Sequence, residues 1–312
     1  MGYRDDIIAG FADGGAGLLW LPDLSLWHDW HRSRGALPAG WQSYSLADCA
    51  RALGAPAWLA VPPWRLETPG VDVRTVERDG ERTVTTETPA GPLVGRWALM
   101  PDGDWWQTEY PVKSEADLPA ARALIEARSY VPDPAQWTRL DAAVGEAGVV
   151  AVELPRRPYS EVLHTLLGWS EGLTLLLGGG RAAILEMLDA LDAKVQACVR
   201  EAAQLPGALA YSPDNLDGQF IPPSVFAEHL AASYRETAET LHAAGKRLVV
   251  HAGGPARRLL APLAEAGVDA VEGVAGPPQG DAPLAEARTA AGPHAVPWRA
   301  LRHSRHSSRR VL

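Results

Sequence analysis

Polar side chains follow four short apolar runs, each with the composition of a buried β-strand. Carboxylates and imidazoles in such places can transfer protons or bind a metal ion. Helical segments separate the four runs, so we expect a parallel sheet whose strand ends meet at one rim. The side chains predicted to meet there are Glu153, Asp214 with Asn215, His251, and Glu272.

His251 ends the most informative of these runs, the stretch 246–254, which reads Lys-Arg-Leu-Val-Val-His-Ala-Gly-Gly. Gly253 and Gly254 have no Cβ, so a ligand or a neighbouring backbone can come close to them. Pro255 is suited to the first turn of a helix, predicted over 255–266. We expect His251 to act as an acid and base or to bind a metal ion. A core histidine satisfied by hydrogen bonds is the structural alternative.

The other candidates also have structural alternatives. We predict that Asp214 and Asn215 orient a substrate, although Asx residues equally form turns by bonding their own backbone. Glu153 is a candidate base or metal ligand and Glu272 a substrate-binding residue, but arginines at the rim could pair with both. Asp281 is first a cap of a predicted helix over 282–291, and a pocket residue only if its loop folds inward.

Composition excludes several classes of protein. The net charge of -9 over 312 residues argues against nonspecific binding to nucleic acid or to an anionic membrane. Cys49 and Cys198 lie far apart without the spacing of a metal or redox motif, so we expect no disulfide framework. We expect neither a signal peptide nor a membrane-spanning helix, because residues 1–10 lack a basic region followed by an apolar run and no apolar run is long enough to span a bilayer. A cytoplasmic location is the expectation.

The pattern of apolar and polar residues changes along the chain. Residues 71–87 alternate apolar and polar side chains around Asp79-Gly80, which is a strong signal for a β-hairpin. Together with strands near 93–100 and 105–110, this predicts an antiparallel insert over about 71–110. From Ser114 onward helices and strands alternate, with Ser114 to Asp117 in the form of a capping box. We therefore predict a TIM-type (β/α)8 barrel as a single domain over 1–298.

The final segment departs from this pattern. Residues 299–312 contain five arginines and no acid, in a chain that is otherwise acidic. We expect a basic, disordered tail. The last strand and helix of the barrel have no counterpart there, which indicates that the reading frame changes after Trp298.

Five segments in order resemble the uroporphyrinogen decarboxylase superfamily, which includes corrinoid- and coenzyme M-linked methyltransferases. The similarity extends from about residue 110 to 298 and implies a TIM-type barrel. The segments are Tyr110 to Leu118, Asp214 to Phe226, Leu241 to Gly254, Gly267 to Gly273 and Gly280 to Arg288.

The resemblance implies an enzyme of the methyltransferase-like branch, acting on a methyl group carried by a corrinoid or a small molecule. In that branch the position of Gly253 holds a cysteine that binds zinc beside the histidine. A zinc site here would need His251 with a carboxylate, Glu153 or Asp214. The partners we expect are a small molecule or a corrinoid protein, and a second copy of the chain.

Two alternatives remain open. The first is decarboxylation of a carboxylated tetrapyrrole, for which the family uses a loop with paired arginines. Residues 21–34 offer only Arg32 and Arg34, and their spacing differs. The second is a truncated barrel without catalytic activity, acting at most as a binding protein, because a missing strand leaves open sheet edges.

Overall fold

The computed structural model describes residues 2–11, 21–101, 103–293 and 295–299. These residues form two compact units. Unit 1 comprises the described residues within Met1–Pro63, Asp133–Pro155 and Val199–Leu312. Unit 2 comprises those within Trp64–Pro132 and Arg156–Cys198, so it includes the predicted insert together with a later helical segment.

Helices and strands alternate through much of the chain. The helices are α1 (Tyr3–Gly10), α2 (Ser25–Ser33), α3 (Leu46–Leu53), α4 (Leu118–Ala127), α5 (Ala135–Val144), α6 (Pro158–Val162), α7 (Glu171–Leu177), α8 (Arg181–Ala203), α9 (Pro223–His229), α10 (Ala231–Ala243), α11 (Leu260–Glu265) and α12 (Leu284–Ala291). The strands are β1 (Ala57–Val61), β2 (Trp64–Glu67), β3 (Asp72–Arg78), β4 (Glu81–Thr88), β5 (Gly91–Leu99), β6 (Trp105–Glu109), β7 (Ser129–Pro132), β8 (Gly148–Glu153), β9 (Leu209–Leu216), β10 (Arg247–Ala252), β11 (Ala270–Val274) and β12 (Val296–Arg299). A π-helical turn, Leu163–Leu167, continues α6.

Unit 1 is built on a six-stranded parallel sheet in the order β1-β8-β9-β10-β11-β12. Helices lie between the strands along the chain, which is the alternation that the sequence predicts. The arrangement is compatible with a TIM-type barrel. Among the described residues β1 does not pair with β12, so closure of a barrel is not observed.

One face of this sheet carries a buried apolar core, and we call it the inner face. Successive residues of a strand point to opposite faces, so every second side chain contributes. The N-terminal helix α1 and the residues next to it complete the core. Its buried members are Ile7, Phe11, Leu21, Trp58, Val149, Ala151, Leu209, Val249 and Ala270.

An arginine holds α1 in place within unit 1. The Arg4 guanidinium donates to the Asp141 carboxylate at 2.9 Å, and its Nε donates to the Gly145 carbonyl at 2.9 Å. These bonds fasten α1 to the end of α5. Ile7 is thereby kept in the inner-face core.

Unit 2 contains a four-stranded antiparallel sheet in the order β3-β4-β5-β6. Asp79 and Gly80 both adopt positive φ, 53° and 78°, as a two-residue hairpin turn between β3 and β4 requires. The predicted hairpin is thus confirmed. Ser114 and Asp117 form the predicted capping box ahead of α4. A second antiparallel pair joins β2 to β7.

Three elements differ from expectation. The sequence predicts one continuous helix over about 224–244, but the structure divides it into α9 and α10 at Leu230. The Leu230 side chain is buried and its φ is -121°. Helix α11 begins at Leu260 rather than at Pro255. The Pro255 carbonyl accepts a hydrogen bond from the Gly218 N–H at 2.6 Å, so this residue belongs to a loop contact. The pairing of β2 with β7 was not predicted at all.

The sequence also predicts a strand over 294–298, and the structure has β12 there. The basic, disordered tail predicted over 299–312 is wrong for Arg299, which ends β12. Residues 300–312, on which the rest of that prediction and the changed reading frame depend, lie outside the described residues. Within the ranges that the structure describes, no helix has the length and apolar character needed to cross a membrane.

Candidate active site

The polar side chains at the strand ends divide between the two faces of the unit 1 sheet. Glu153 lies two and four residues after the core residues Ala151 and Val149, so alternation places it on the inner face. His251 follows Val249, and Glu272 follows Ala270, with the same spacing. Three of the four predicted strand ends therefore present a polar side chain on one face, above the apolar core.

His251 and Glu272 form a hydrogen-bonded pair. They are directly opposed residues on the neighbouring parallel strands β10 and β11. The His251 Nδ1 is bonded to Glu272 Oε2. The His251 side chain keeps 31% of its surface exposed and that of Glu272 17%, so the pair lies at the surface of the inner face rather than in the core.

The second ring nitrogen of His251 is the reactive one in this arrangement. A carboxylate that accepts the Nδ1 proton fixes the tautomer of the neutral ring, leaving a lone pair on Nε2. Within the described part of the chain, Nε2 has no hydrogen-bond partner. A partly exposed Nε2 oriented through Nδ1 by a carboxylate can accept a proton and return it.

Gly273 makes room for this pair. It adopts a φ of +88°, in the region that favours glycine, and the sheet register shifts between Glu272 and Val274. A Cβ on Gly273 would overlap with the Ala252 carbonyl oxygen and would lie 3.1 Å from the ring atoms Cε1 and Nδ1 of His251. The absence of a side chain here lets the imidazole come close to the backbone of β11.

Tyr211 is the third member of the cluster. It lies between Glu153 and Val249 in the sheet register, and its hydroxyl donates to Glu272 Oε2 over a long 3.4 Å. Burial raises the pKa of Tyr211, and negative charge from Glu272 and Glu153 raises it further. The phenol therefore stays protonated and remains a hydrogen-bond donor throughout the physiological range.

Asp23 adds a further negative charge near Tyr211 and contributes to its raised pKa. This residue precedes α2, where its carboxylate accepts hydrogen bonds from the backbone N–H and the hydroxyl of Ser25 at 2.8 and 2.6 Å. The electrostatic environment of the Tyr211 hydroxyl is thus dominated by carboxylates from three separate segments of unit 1.

Aromatic rings lie beside the polar cluster. Trp58 contacts Tyr211 edge to face with ring centroids 6.1 Å apart, and contacts Trp298 in the same manner at 4.7 Å. Phe11 approaches Trp298 at 5.9 Å. Trp58 and Phe11 belong to the inner-face core, and Tyr211 and Trp298 pack against it, so these ring contacts join the polar cluster to the core.

Asp214 does not join this cluster. Its side chain is fully buried, and its Oδ2 accepts hydrogen bonds from the Ser212 hydroxyl at 2.8 Å and from the Tyr234 hydroxyl. Tyr234 lies on α10, the helix that connects β9 to β10. Asp214 is therefore bonded towards the helix layer, and the predicted meeting of Asp214 with His251 is not observed. The carboxylate next to His251 is that of Glu272.

Asn215 and the two glycines form a packed contact of their own. Asn215 has a positive φ of 54°, and its Oδ1 occupies the space that a Cβ on Gly253 would need. A Cβ on Gly254 would likewise overlap with the carboxylate of Asp217. The space beside Gly253 and Gly254 is thus occupied by side chains from the end of β9. These glycines allow close packing within the chain rather than the approach of a ligand.

Asp281 also has a structural partner. Its Oδ1 accepts a hydrogen bond from the Arg257 N–H at 3.0 Å. Helix α12 begins only at Leu284, with Pro283 preceding it and no side-chain cap, so the predicted cap by Asp281 is wrong. The carboxylate instead ties the loop after β11 to the loop after β10.

The described residues do not contain a group of three or more His, Cys, Asp or Glu side chains placed to hold a metal ion. His251 is bonded to Glu272, not to the predicted ligands Glu153 and Asp214. The residues present therefore do not fit a zinc site of the kind expected from the resemblance, because such sites use at least three protein ligands.

Sequence reasoning missed Tyr211 and Asp23. Tyr211 lies inside a strand that the sequence predicts near 208–211, whereas the predicted site residues follow their strands. Its spacing of two from Leu209 is the signal that places it on the inner face. Asp23 precedes α2 and is far in sequence from the strand ends, so no local pattern indicates it.

Comparison with known proteins gives little further information. No family model matches the chain, and no curated protein matches it. A solved structure of a methyltransferase from Methanosarcina mazei is similar with a TM-score of 0.42 and 11% sequence identity. The match covers 62% of this chain and 55% of the methyltransferase.

Proposed function

We propose that this protein is an enzyme of the uroporphyrinogen decarboxylase superfamily, of the methyltransferase-like kind, in which His251 is the acid and base. The observation that carries the proposal is the bond between His251 Nδ1 and Glu272 at the ends of two adjacent strands. Five ordered sequence segments support the superfamily, and α/β sheets bind ligands at this end of their strands.

The proposed step is transfer of a methyl group to an acceptor that carries an ionisable proton, such as a thiol. The acceptor forms a bond to the methyl carbon, and the bond to the donor breaks with its electron pair leaving on the donor. The acceptor proton passes to His251 Nε2. Glu272 then faces an imidazolium, whose positive charge it stabilises through Nδ1.

Tyr211 has a positioning role in this proposal. Its hydroxyl donates to the same carboxylate oxygen that accepts from His251. A donor on one side and the imidazole on the other restrict the orientations that Glu272 can take. Restricting the carboxylate fixes the imidazole ring, and a fixed base transfers protons faster than one that must first be oriented.

Decarboxylation of a tetrapyrrole is the weaker candidate. Such a substrate carries several carboxylates, and a site for it must supply cations. The charges that act on Tyr211 are instead carboxylates, those of Glu272, Glu153 and Asp23. These charges would repel a polyanionic substrate, so we favour methyl transfer from a corrinoid or a small molecule.

The proposal can be tested with methylcobalamin as the methyl donor and the neutral thiol 2-mercaptoethanol as the acceptor. The absorbance of the corrinoid reports demethylation, and mass spectrometry reports the thioether. We expect wild-type protein to catalyse the transfer and His251→Gln to reduce the rate by about 10²-fold or more, which is typical for loss of a general base.

His242→Gln is the matched control. His242 also bonds a carboxylate, with its Nε2 2.8 Å from Asp269 Oδ2, but it lies on α10. We expect this variant to keep its rate per folded molecule, with folding checked by circular dichroism. No transfer by the wild type would contradict the methyl-transfer proposal. Equal rates for His251→Gln and the wild type would contradict the role of His251.

A further inference from the structure

Strand β3 forms one edge of the antiparallel sheet in unit 2, and all seven of its residues are exposed. In the described part of the chain it pairs with β4 alone, through an unbroken register from Asp72 opposite Glu87 to Arg78 opposite Glu81. Its outer side therefore presents every second backbone N–H and C=O to another strand.

Exposed edges are commonly protected against pairing by a proline, a bulge, a very short strand or charged side chains. Strand β3 has no proline, and its register with β4 is regular over all seven residues. Its charged side chains are Asp72, Arg74, Glu77 and Arg78. The signs of these charges decide which partner strand can pair with it. Val73 and Val76 are 59% and 52% exposed, so the edge also carries apolar surface. Such a strand is suited to pairing with another strand.

We propose that two copies of this chain associate by antiparallel pairing of β3 with β3, with Thr75 opposite Thr75 of the second copy. The charge pattern of β3 indicates that the strand pairing with it is β3 of a second copy. In this register all seven residues overlap, and Asp72 lies opposite Arg78 of the second copy. The two-fold symmetry produces this ion pair twice, because an isologous interface repeats each of its contacts.

Other registers are less favourable. A two-fold axis perpendicular to the sheet places one residue opposite its own copy, so symmetric registers differ by shifts of two residues. A shift of two residues in one direction places Arg74 opposite Arg74 of the second copy. A shift of two residues in the opposite direction places Arg74 opposite Arg78. Like charges in directly opposed positions destabilise a strand pair. The register centred on Thr75 avoids every such contact.

Analytical ultracentrifugation of the full chain over a range of concentrations tests the proposal. We expect a dimer for the wild type. Asp72→Arg and Arg78→Asp should each weaken dimerisation about tenfold, because each substitution replaces two attractive contacts by two repulsive ones. The double variant Asp72→Arg/Arg78→Asp restores both ion pairs, and we expect it to regain the wild-type affinity.

Asp189→Arg is the control for a change of net charge, because Asp189 is exposed on α8 and lies outside β3. It should dimerise as the wild type does. A monomeric wild type at all accessible concentrations would overturn the proposal. A double variant no stronger than either single variant would overturn it too, since restoration requires direct contact between positions 72 and 78. His251→Gln should dimerise normally, so this result is independent of the proposed catalysis.

Discussion

Glu272 Oε2 is hydrogen-bonded to His251 Nδ1 between the neighbouring parallel strands β11 and β10, although the two residues are 21 positions apart in the chain. This bond decides which nitrogen of the imidazole is available for chemistry. Gly273 supports it, because any side chain at that position would collide with the end of β10. The pair is therefore a property of the sheet register rather than of a mobile loop.

Buried tyrosines give the fold an alkaline limit. Burial raises the pKa of Tyr130 and of Tyr159 to about 12, and burial together with nearby carboxylates also raises that of Tyr211. A group whose pKa is higher in the folded state stabilises the fold below its unfolded pKa, about 10 for tyrosine. We expect the free energy of unfolding to fall as the pH rises from about 10 to 12.

The contribution of Tyr211 can be isolated by comparing urea unfolding of the wild type and Tyr211→Phe across this range. At neutral pH the two should differ by less than about 1 kcal/mol, because the lost hydrogen bond is a long one. Above pH 10 the wild type should lose stability faster than the variant. Parallel pH profiles would show that Tyr211 ionises as freely in the folded protein as in the unfolded chain.

The carboxylate of Asp214 has a structural role in our interpretation. Tyr234→Phe removes one donor from a fully buried carboxylate, and we expect a loss of about 1 to 3 kcal/mol in the free energy of unfolding. Denaturant titration measures this. The rate per folded molecule should be unchanged. A loss of rate without a loss of stability would instead return Asp214 to the catalytic residues, as the sequence first suggested.

The contact between Gly253 and Asn215 predicts a compensating pair of substitutions. Gly253→Ala should destabilise the fold by about 1 to 3 kcal/mol, because the new methyl group overlaps with Asn215 Oδ1. Adding Asn215→Gly should recover part of this loss, since glycine accepts the positive φ at 215 and frees the space. Additive losses in the double variant, measured by thermal unfolding, would contradict the contact.

Much of the sheet could be predicted from the sequence because its strands are short apolar runs between helices. The face of the sheet to which each polar side chain points could not be predicted from the sequence. Strands of a parallel sheet are buried on both sides and lack visible alternation, so Asp214 and His251 looked equivalent. Only the register shows that Asp214 shares a face with Ser212, and is turned towards Tyr234, whereas His251 shares one with Val249.

Pairing between strands that are distant in sequence also could not be predicted. The β3–β4 hairpin was predictable because its turn residues, Asp79 and Gly80, are local. Strands β2 and β7 are separated by more than sixty residues along the chain, and nothing in either segment indicates the other. The same holds for Asp23, which reaches the surroundings of Tyr211 only through the fold of the N-terminal segment.

The most direct test of the central claim is the tautomer of His251, read from two-bond ¹⁵N–¹H correlations of the imidazole and assigned with His251→Gln. At a pH where the ring is neutral, we predict a proton on Nδ1 and a bare Nε2 in the wild type, and a loss of this preference in Glu272→Gln. A wild-type ring protonated on Nε2 would contradict the account, because no base would then face the substrate.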